Sequence, residues 1–281
     1  MKVALLQLTS SDDPAQNLTI VEGLIAEAAA QGAGFICTPE VTNCVSMDRA
    51  HQTRVLQTEA EDQTLTALQA TAQRHNIWLS VGSIALKGGA DGRFVNRSFL
   101  ITPDGQIAAR YDKIHMFDVQ VSEAETYNES SGYAPGDHAV LADAGFAKIG
   151  LTICYDLRFP QLHRDLAKAG ADILLVPSAF SPVTGAAHWE PLLRARAIET
   201  GCYVLAAAQT GTHATTSAKA RETYGHTLAI SPWGEVLADA GTDCGITFVD
   251  LDVREVSKAR KRIPALTHDR KFSGPRYEQP N

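Results

Sequence analysis

The sequence predicts an α/β fold in which two sheets share one domain and helices cover the outer face of each. Three observations indicate this class. Segments with apolar residues at helical spacing alternate with short apolar segments along the whole chain of 281 residues. Turn sequences such as Pro232-Trp-Gly234 add hairpins to the alternation. No linker, internal repeat or low-complexity tract interrupts it, and two sheets with helices outside would bury the apolar faces of such elements.

The first half of the chain opens with a strand, and Asp12-Asp13-Pro14 is a favourable helix start. Apolar residues then recur at helical spacing until Gly32-Ala-Gly34 ends the helix. The predicted elements are, in order, a strand at 3–8, a helix at 17–31, a strand at 35–38, a helix at 61–75, a strand at 77–84, a strand at 93–101 that pairs back as a hairpin, and a long loop at 117–137.

The second half continues the same alternation. Its predicted elements are a strand at 148–153, a helix at 161–169, a strand at 173–176, a helix at 189–200, a strand at 203–208, a polar loop at 210–221, hairpin strands at 225–231 and 235–238, a strand at 245–251 and a helix at 253–263. The segment from Leu266 onward, with Pro275 and Pro280, is predicted to be an extended arm. We therefore expect a single domain at residues 1–272 and a C-terminal tail at 273–281.

Composition narrows the class of partners. The net charge of −7 gives no reason to expect nucleic acid or an anionic membrane. No uninterrupted apolar stretch approaches the roughly 20 residues of a spanning helix, and the N-terminus lacks a secretory signal pattern. We expect a soluble protein.

The five cysteines are odd in number and widely spaced, which suits reduced thiols in the cytoplasm better than a disulfide framework. Cys37, Cys44, Cys202 and Cys244 are interpreted as structural. No His-x-x-x-His or Cys-x-x-Cys spacing and no phosphate-binding glycine loop occurs, so we expect neither a metal nor a cofactor.

Three residues are candidates for catalysis. Cys154 follows an apolar β-branched run and begins a charged, aromatic turn, which is typical of a nucleophile at a strand-to-helix corner. Glu40 ends a short strand, and Lys113 lies inside a mostly apolar stretch. Taken singly, each has a structural alternative: an inert buried thiol, a solvated strand end and a lysine that reaches water.

Together, the motifs Thr38-Pro-Glu-Val41, Lys113-Ile-His-Met-Phe-Asp118 and Cys154-Tyr-Asp-Leu-Arg-Phe-Pro160 resemble the nitrilase, or carbon–nitrogen hydrolase, superfamily over almost the whole chain. The resemblance implies a four-layer α-β-β-α sandwich of two mixed sheets, which agrees with the pattern of elements. It also implies at least a homodimer. One departure is Asp112, where an arginine commonly precedes the lysine; it puts the local charge balance in doubt.

The resemblance assigns a role to each residue of this set. Cys154 is the nucleophile, Glu40 the general base, and Lys113 with the backbone amide of Tyr155 holds the oxyanion. A second glutamate, Glu129, is expected to orient Lys113 or the substrate amide; the alternative is an ordinary loop charge. Burial is expected to raise the pKa of Glu40 toward the working pH.

Residues after the nucleophile are candidates for substrate binding. Arg158 could grip a carboxylate, while Thr184 adds a hydroxyl and Phe180 an apolar wall. The alternative for Arg158 is an internal ion pair with Asp156 or Glu190.

Segments 192–203, 207–211, 224–227 and 231–234 look most like the deaminated glutathione amidase branch. That branch cleaves a γ-amide bond and releases 2-oxoglutarate and a dipeptide, and the loop at 210–221 could make room for the latter. The main alternative is an ω-amidase acting on α-ketoglutaramate. Two alternatives belong to a different functional class. One is a non-catalytic scaffold or binding protein, and the other is a redox sensor at Cys154.

Overall fold

Two six-stranded mixed sheets form the centre of the fold. They are seen in a computed structural model that describes residues 1–121, 125–216 and 220–277. The first sheet has the strand order β16-β1-β2-β3-β4-β5. Its strands are β1 (Lys2–Gln7), β2 (Phe35–Cys37), β3 (Trp78–Lys87), β4 (Phe94–Ile101), β5 (Ile107–Asp112) and β16 (Gly245–Asp250). Strands β1, β2 and β3 are parallel, and each of the other strands is antiparallel to its neighbour.

The second sheet repeats this plan with the order β15-β14-β11-β10-β9-β8. Its strands are β8 (Val140–Asp143), β9 (Lys148–Leu151), β10 (Ile173–Leu175), β11 (Tyr203–Ala206), β14 (Leu228–Ile230) and β15 (Val236–Asp239). The three central strands are again parallel, and the others are antiparallel to their neighbours. Two small hairpins lie outside the sheets: β6 (Asp118–Gln120) with β7 (Thr126–Asn128), and β12 (Thr210–Thr212) with β13 (Glu222–Tyr224).

Helices cover both outer faces of the paired sheets: α1 (Pro14–Ala30) and α3 (Gln63–His75) on the first, and α4 (Pro160–Lys168), α5 (Pro182–Thr200) and α6 (Arg254–Arg262) on the second. The short helix α2 (Arg49–Val55) lies between β2 and α3 in the chain. Alternate residues of β1 divide between two apolar clusters: Ala4 and Leu6 pack with α1 and α3, whereas Val3 and Leu5 face the second sheet. The four-layer α-β-β-α prediction is thereby confirmed.

Local sequence explains where several elements begin and end. Asp13 accepts hydrogen bonds from the amides of Ala15 and Gln16 with Pro14 in the first turn, so the predicted helix start is confirmed. Asp62 caps α3 in the same way, and Asn76 ends that helix in a left-handed conformation. Helix α5 begins at Pro182, seven residues before the predicted start, and accommodates Pro191 in its interior.

The structure adds elements that the pattern did not predict. Helix α2 and strands β5 and β8 were not expected, and the predicted loops at 117–137 and 210–221 contain strands of the two small hairpins. Residues 122–124 and 217–219 of those loops, and residues 278–281 of the predicted tail, lie outside the described residues. Residues 268–277 form neither a helix nor a strand. None of the helices in the described chain has the length and apolar character needed to cross a membrane.

Candidate active site

Glu40 lies in the turn after β2 and is buried, with 4% of its surface exposed. Its Oε1 accepts hydrogen bonds from Asn96 Nδ2 at 2.9 Å and from Lys113 Nζ at 3.0 Å. Its Oε2 accepts one from the amide of Ala179 at 2.8 Å. The carboxylate is therefore fixed from both sides.

The charge of Glu40 is set by two opposing effects. Burial acts to raise the pKa of the Glu40 carboxyl, but the cations of Lys113 and Arg221 outweigh burial, so that the pKa lies below its ordinary value. The expectation that burial would raise this pKa toward the working pH is therefore wrong. Burial alone would have that effect; the paired lysine reverses it. Glu40 is an ionised base in the resting site.

Lys113 directly follows β5 and is also buried. Besides Glu40, its ammonium donates to both carboxylate oxygens of Glu129 at 2.9 Å. Burial would lower the pKa of Lys113, but Glu129 and Glu40 outweigh it and hold that pKa well above its ordinary value. Glu129 is itself held by the amide of Phe117 at 2.6 Å, so it is placed to orient the lysine.

The departure at Asp112 has a local explanation. Its two carboxylate oxygens accept hydrogen bonds from Arg97 Nε and Nη2 at 2.6 and 2.7 Å. Arg97 also pairs with Glu59, which in turn pairs with Arg110. The charge of Asp112 is thus balanced outside the cavity.

Cys154 begins a 3₁₀ helix, Cys154–Arg158, three residues after β9 ends. Its φ of 51° lies in the left-handed region, which non-glycine residues seldom adopt. The amide of Cys154 donates to Pro177 O at 2.9 Å, and this bond helps to hold the corner. Such strain persists only where the surrounding structure enforces it, and it is common at active sites.

Cys154 and Glu40 line the same cavity, and the charge of the Glu40 carboxylate acts on the thiol. Burial raises the pKa of Cys154 above its usual range, the charge of Glu40 raises it further, and Lys113 only partly opposes them. The resting site therefore holds a neutral thiol beside an ionised base, and the thiol becomes a nucleophile only as its proton moves to Glu40.

Asp156 joins the cysteine corner to the lysine segment. This fully buried carboxylate accepts hydrogen bonds from Tyr111 Oη at 2.6 Å, His115 Nδ1 at 2.7 Å and the amide of Ile153 at 2.9 Å. Tyr111 and His115 lie on either side of Lys113 in sequence. The position of the nucleophile is thereby tied to that of the lysine.

The backbone amide of Tyr155 is the first one after the nucleophile. The next amide, of Asp156, already donates to Ile153 O at 3.1 Å. Amides in the first turn of a helix have no acceptor within that helix, so the Tyr155 amide is available in principle to a ligand oxygen. Tyr155 lines the same cavity as Cys154 and Lys113.

The structure places two of the three predicted substrate-binding residues in the cavity. Phe180 and Thr184 line the cavity with Cys154 and Glu40, whereas Arg158 is not among its lining residues. The Arg158 guanidinium lies 3.3 Å from His188 Nδ1 and 5.7 Å from the ring centroid of Phe180.

The ion pairs considered as an alternative for Arg158 do not form in the described chain. Asp156 bonds to Tyr111 and His115, and Glu190 pairs with Arg194. Carboxylate binding by Arg158 stays a prediction.

Another arginine in the cavity was missed by sequence reasoning. Arg221 lines the cavity and donates from Nη2 to Ala179 O at 2.6 Å. It closes a polar loop that has no recognisable motif, so no signal in a single sequence singles it out. Within residues 1–121, 125–216 and 220–277, no three His, Cys, Asp or Glu side chains form a group that could hold a metal ion.

A family model and several curated proteins agree on the family to which this chain is similar. A model of the carbon-nitrogen hydrolase family matches residues 2–261. A deaminated glutathione amidase of Synechocystis sp. (strain PCC 6803 / GT-S) is 40% identical over 268 residues, covering 94% of this chain and 96% of that protein. A protein of the same name from Yersinia enterocolitica is 39% identical over 271 residues, covering 95% of this chain and 92% of that protein.

Solved structures share the fold. The crystal structure of the C. elegans NitFhit protein matches with a TM-score of 0.88 at 35% identity. The match covers 96% of this chain but 65% of the NitFhit chain, so this chain spans about two thirds of that protein.

Proposed function

This chain belongs to the carbon–nitrogen hydrolase family, and we propose that it hydrolyses a carboxylate-bearing amide through a thioester on Cys154, with deaminated glutathione as the substrate. The observation that carries the proposal is the meeting of Cys154, Glu40 and Lys113, from three distant segments, in one buried cavity. The names and identities of the relatives support the choice of substrate.

The first half of the reaction forms the thioester. Cys154 Sγ attacks the amide carbon while its proton passes to Glu40, and the carbonyl oxygen becomes an oxyanion beside Lys113 and the Tyr155 amide. The C–N bond then breaks as Glu40 returns the proton to the leaving nitrogen. A preorganised oxyanion donor in a dry site contributes about 2.7–4 kcal/mol to lowering the barrier.

The second half releases the acid. A water molecule gives a proton to Glu40 and attacks the thioester carbon, and the same donors hold the new oxyanion. Collapse breaks the C–S bond, and Glu40 returns the proton to Cys154 Sγ. The net reaction consumes one amide and one water and yields one acid and one amine.

Substitution of the nucleophile tests the proposal. Cys154→Ala is expected to abolish release of 2-oxoglutarate from deaminated glutathione while the far-UV circular dichroism and thermal unfolding stay close to those of the wild type. Cys244→Ala is the matched control, because Cys244 is exposed and outside the cavity; it should keep its turnover. An active Cys154→Ala enzyme would refute the proposal.

Comparing the rates with two substrates distinguishes a deaminated glutathione amidase from an ω-amidase. Release of 2-oxoglutarate is measured from deaminated glutathione and from α-ketoglutaramate under the same conditions. We expect the larger kcat/KM for deaminated glutathione. A strong preference for α-ketoglutaramate would replace this proposal with an ω-amidase.

We also propose that the protein works in the cytoplasm as a homodimer or higher homo-oligomer. The first part is supported by the state of the five cysteines, all of which are free thiols. The second is supported by the exposure of Ile198, Trp233 and Ile263 around one hollow of the surface.

A further inference from the structure

Arg221 brings to the active-site cavity a cation with an unused donor. Its guanidinium donates to Ala179 O and lies 5.8 Å from the ring centroid of Tyr127, and its charge acts on Glu40. Its Nε is buried and has no hydrogen-bond partner among the described residues. Because Arg221 lines the cavity, the charge of its guanidinium is available to an acidic ligand that binds there.

The position of Arg221 relative to Glu40 indicates which part of a substrate it faces. Lys113 binds Glu40 Oε1, whereas the amide of Ala179 binds Oε2. Arg221 bonds to the carbonyl of the same Ala179, and its charge acts on the Glu40 carboxylate, so it lies near the base. With the oxyanion held at Lys113, the leaving nitrogen takes its proton from Glu40, and a substituent on that nitrogen that extends toward Arg221 would meet a cation.

Space for such a substituent lies next to the cavity. A second depression shares Met47, Thr126, Tyr127 and Arg221 with the cavity of Cys154, so the two lie side by side. It is also lined by the carboxylates of Glu125 and Glu222. Glu125 Oε1 accepts hydrogen bonds from Tyr127 Oη at 2.6 Å and Ser181 Oγ at 2.8 Å, so this carboxylate has hydrogen-bond partners other than Arg221.

We propose that Arg221 binds the carboxylate of the leaving amine and thereby selects amides whose nitrogen carries an acidic peptide over primary amides. This inference rests on the proposed function and specifies its leaving-group site. In deaminated glutathione the group bound is the terminal carboxylate of the dipeptide. A guanidinium that lines the cavity and is held in place at one nitrogen suits a planar carboxylate.

Four rates test the inference. Wild-type enzyme and Arg221→Gln are each assayed with deaminated glutathione and with the same compound bearing a carboxamide in place of the terminal carboxylate. The wild type is expected to prefer the acid by about 10- to 100-fold in kcat/KM, as for a charged hydrogen bond, and Arg221→Gln should lose that preference. Arg221→Lys, which keeps the charge without the planar fork, should keep part of it.

Arg158→Gln is the matched control. Both substrates share the acyl half, so any role of Arg158 there should lower both rates by a similar factor and leave the preference intact. Thermal unfolding of each variant checks that it is folded, and the Arg221→Lys result decides the question if Arg221→Gln does not fold.

Two results would overturn the inference. Either Arg221→Gln retains the preference for the acid, or it lowers both rates equally, which would assign Arg221 to the shared acyl half or to an effect through Glu40. Failure of the proposed function is a distinct outcome: the wild-type enzyme would then turn over neither substrate, and both proposals would be lost.

Discussion

Glu40 combines full burial with three hydrogen bonds from fixed donors, and this combination determines how the catalytic proton moves. Together with Glu129 it places two carboxylates around the single ammonium of Lys113. Burial raises the pKa of the Cys154 thiol, and Glu40 raises it further, because a thiolate would add another anion to this group. Attack and proton transfer to Glu40 are therefore expected to occur together, without a stable thiolate.

The pH dependence of kcat/KM follows from these charges. Because the pKa of Glu40 is lowered from 4.5, the base stays ionised as the pH falls to that value and is lost only below it. Lys113, whose pKa is raised above 10.5, stays charged up to at least that pH. We expect kcat/KM to be level from about pH 5 to pH 8, measured under first-order conditions with deaminated glutathione.

The same lowered pKa has a consequence for stability. A carboxyl that binds its proton less readily when folded contributes to the free energy of unfolding above pH 4.5, and this contribution is lost as the pH falls through its folded-state pKa.

The kinetic profile can contradict this assignment. An acid limb of kcat/KM centred near pH 6 to 7 would mean that burial dominates the pKa of Glu40.

At the residue scale, sequence reasoning identified the three central side chains because each belongs to a recognisable motif. It placed Phe180 and Thr184 in the cavity for the same reason. It did not identify Arg221, which closes a loop without a motif. The direction of the Glu40 pKa shift also escaped it, since a balance between burial and charge depends on distances that only the fold fixes.

At the scale of elements, the turn after β2 depends on a close approach by β3. A Cβ built on Gly82 would lie 2.0 Å from Thr38 O and 2.6 Å from Pro39 O, both in the turn that carries Glu40. The hydroxyl of Thr38 also accepts a hydrogen bond from the amide of Gly82 at 3.0 Å. Only a residue without a side chain fits here.

Gly82→Ala is therefore expected to lower the free energy of unfolding by about 1–3 kcal/mol through overpacking. It should also reduce kcat, because the turn of Glu40 must shift. Chemical denaturation and steady-state kinetics measure both effects. Gly23→Ala in α1 is the matched control: no atom lies within 4 Å of its Cβ, so it should stabilise the helix by up to about 1 kcal/mol. Equal behaviour of the two variants would contradict the argument.

The elements that sequence reasoning missed share a physical cause. Helix α2 is short and mostly polar, with Arg49, His51 and Arg54 among its seven residues, so it shows little apolar periodicity. Strand β5 carries Arg110 in its interior, ends at Asp112 and lies at an edge of its sheet. Longer helices such as α1 and α3 were predicted because the residues of their buried faces recur at helical spacing in the sequence.

At the scale of the whole molecule, one face of the surface remains apolar. Ile198, Trp233 and Ile263, exposed by 56%, 41% and 58%, border a hollow between α5 and α6. Exposed apolar groups clustered in this way are typical of protein interfaces. We expect light scattering after size exclusion to give at least a dimer at micromolar concentration.

A charged substitution on this face tests the interface. Ile198→Asp should shift the protein toward monomer without loss of folding, whereas Ile20→Asp on α1, exposed by 49% but outside the hollow, should not. A wild-type protein that is monomeric at micromolar concentration would contradict the prediction.

Rapid-quench mass spectrometry detects a thioester on Cys154 itself. The enzyme is mixed with deaminated glutathione, quenched in acid during turnover and digested. We expect an acyl adduct, the 2-oxoglutaryl group, on the peptide that contains Cys154, at an occupancy that falls as substrate is exhausted. Turnover without any adduct on Cys154, or with the adduct on another cysteine, would contradict it.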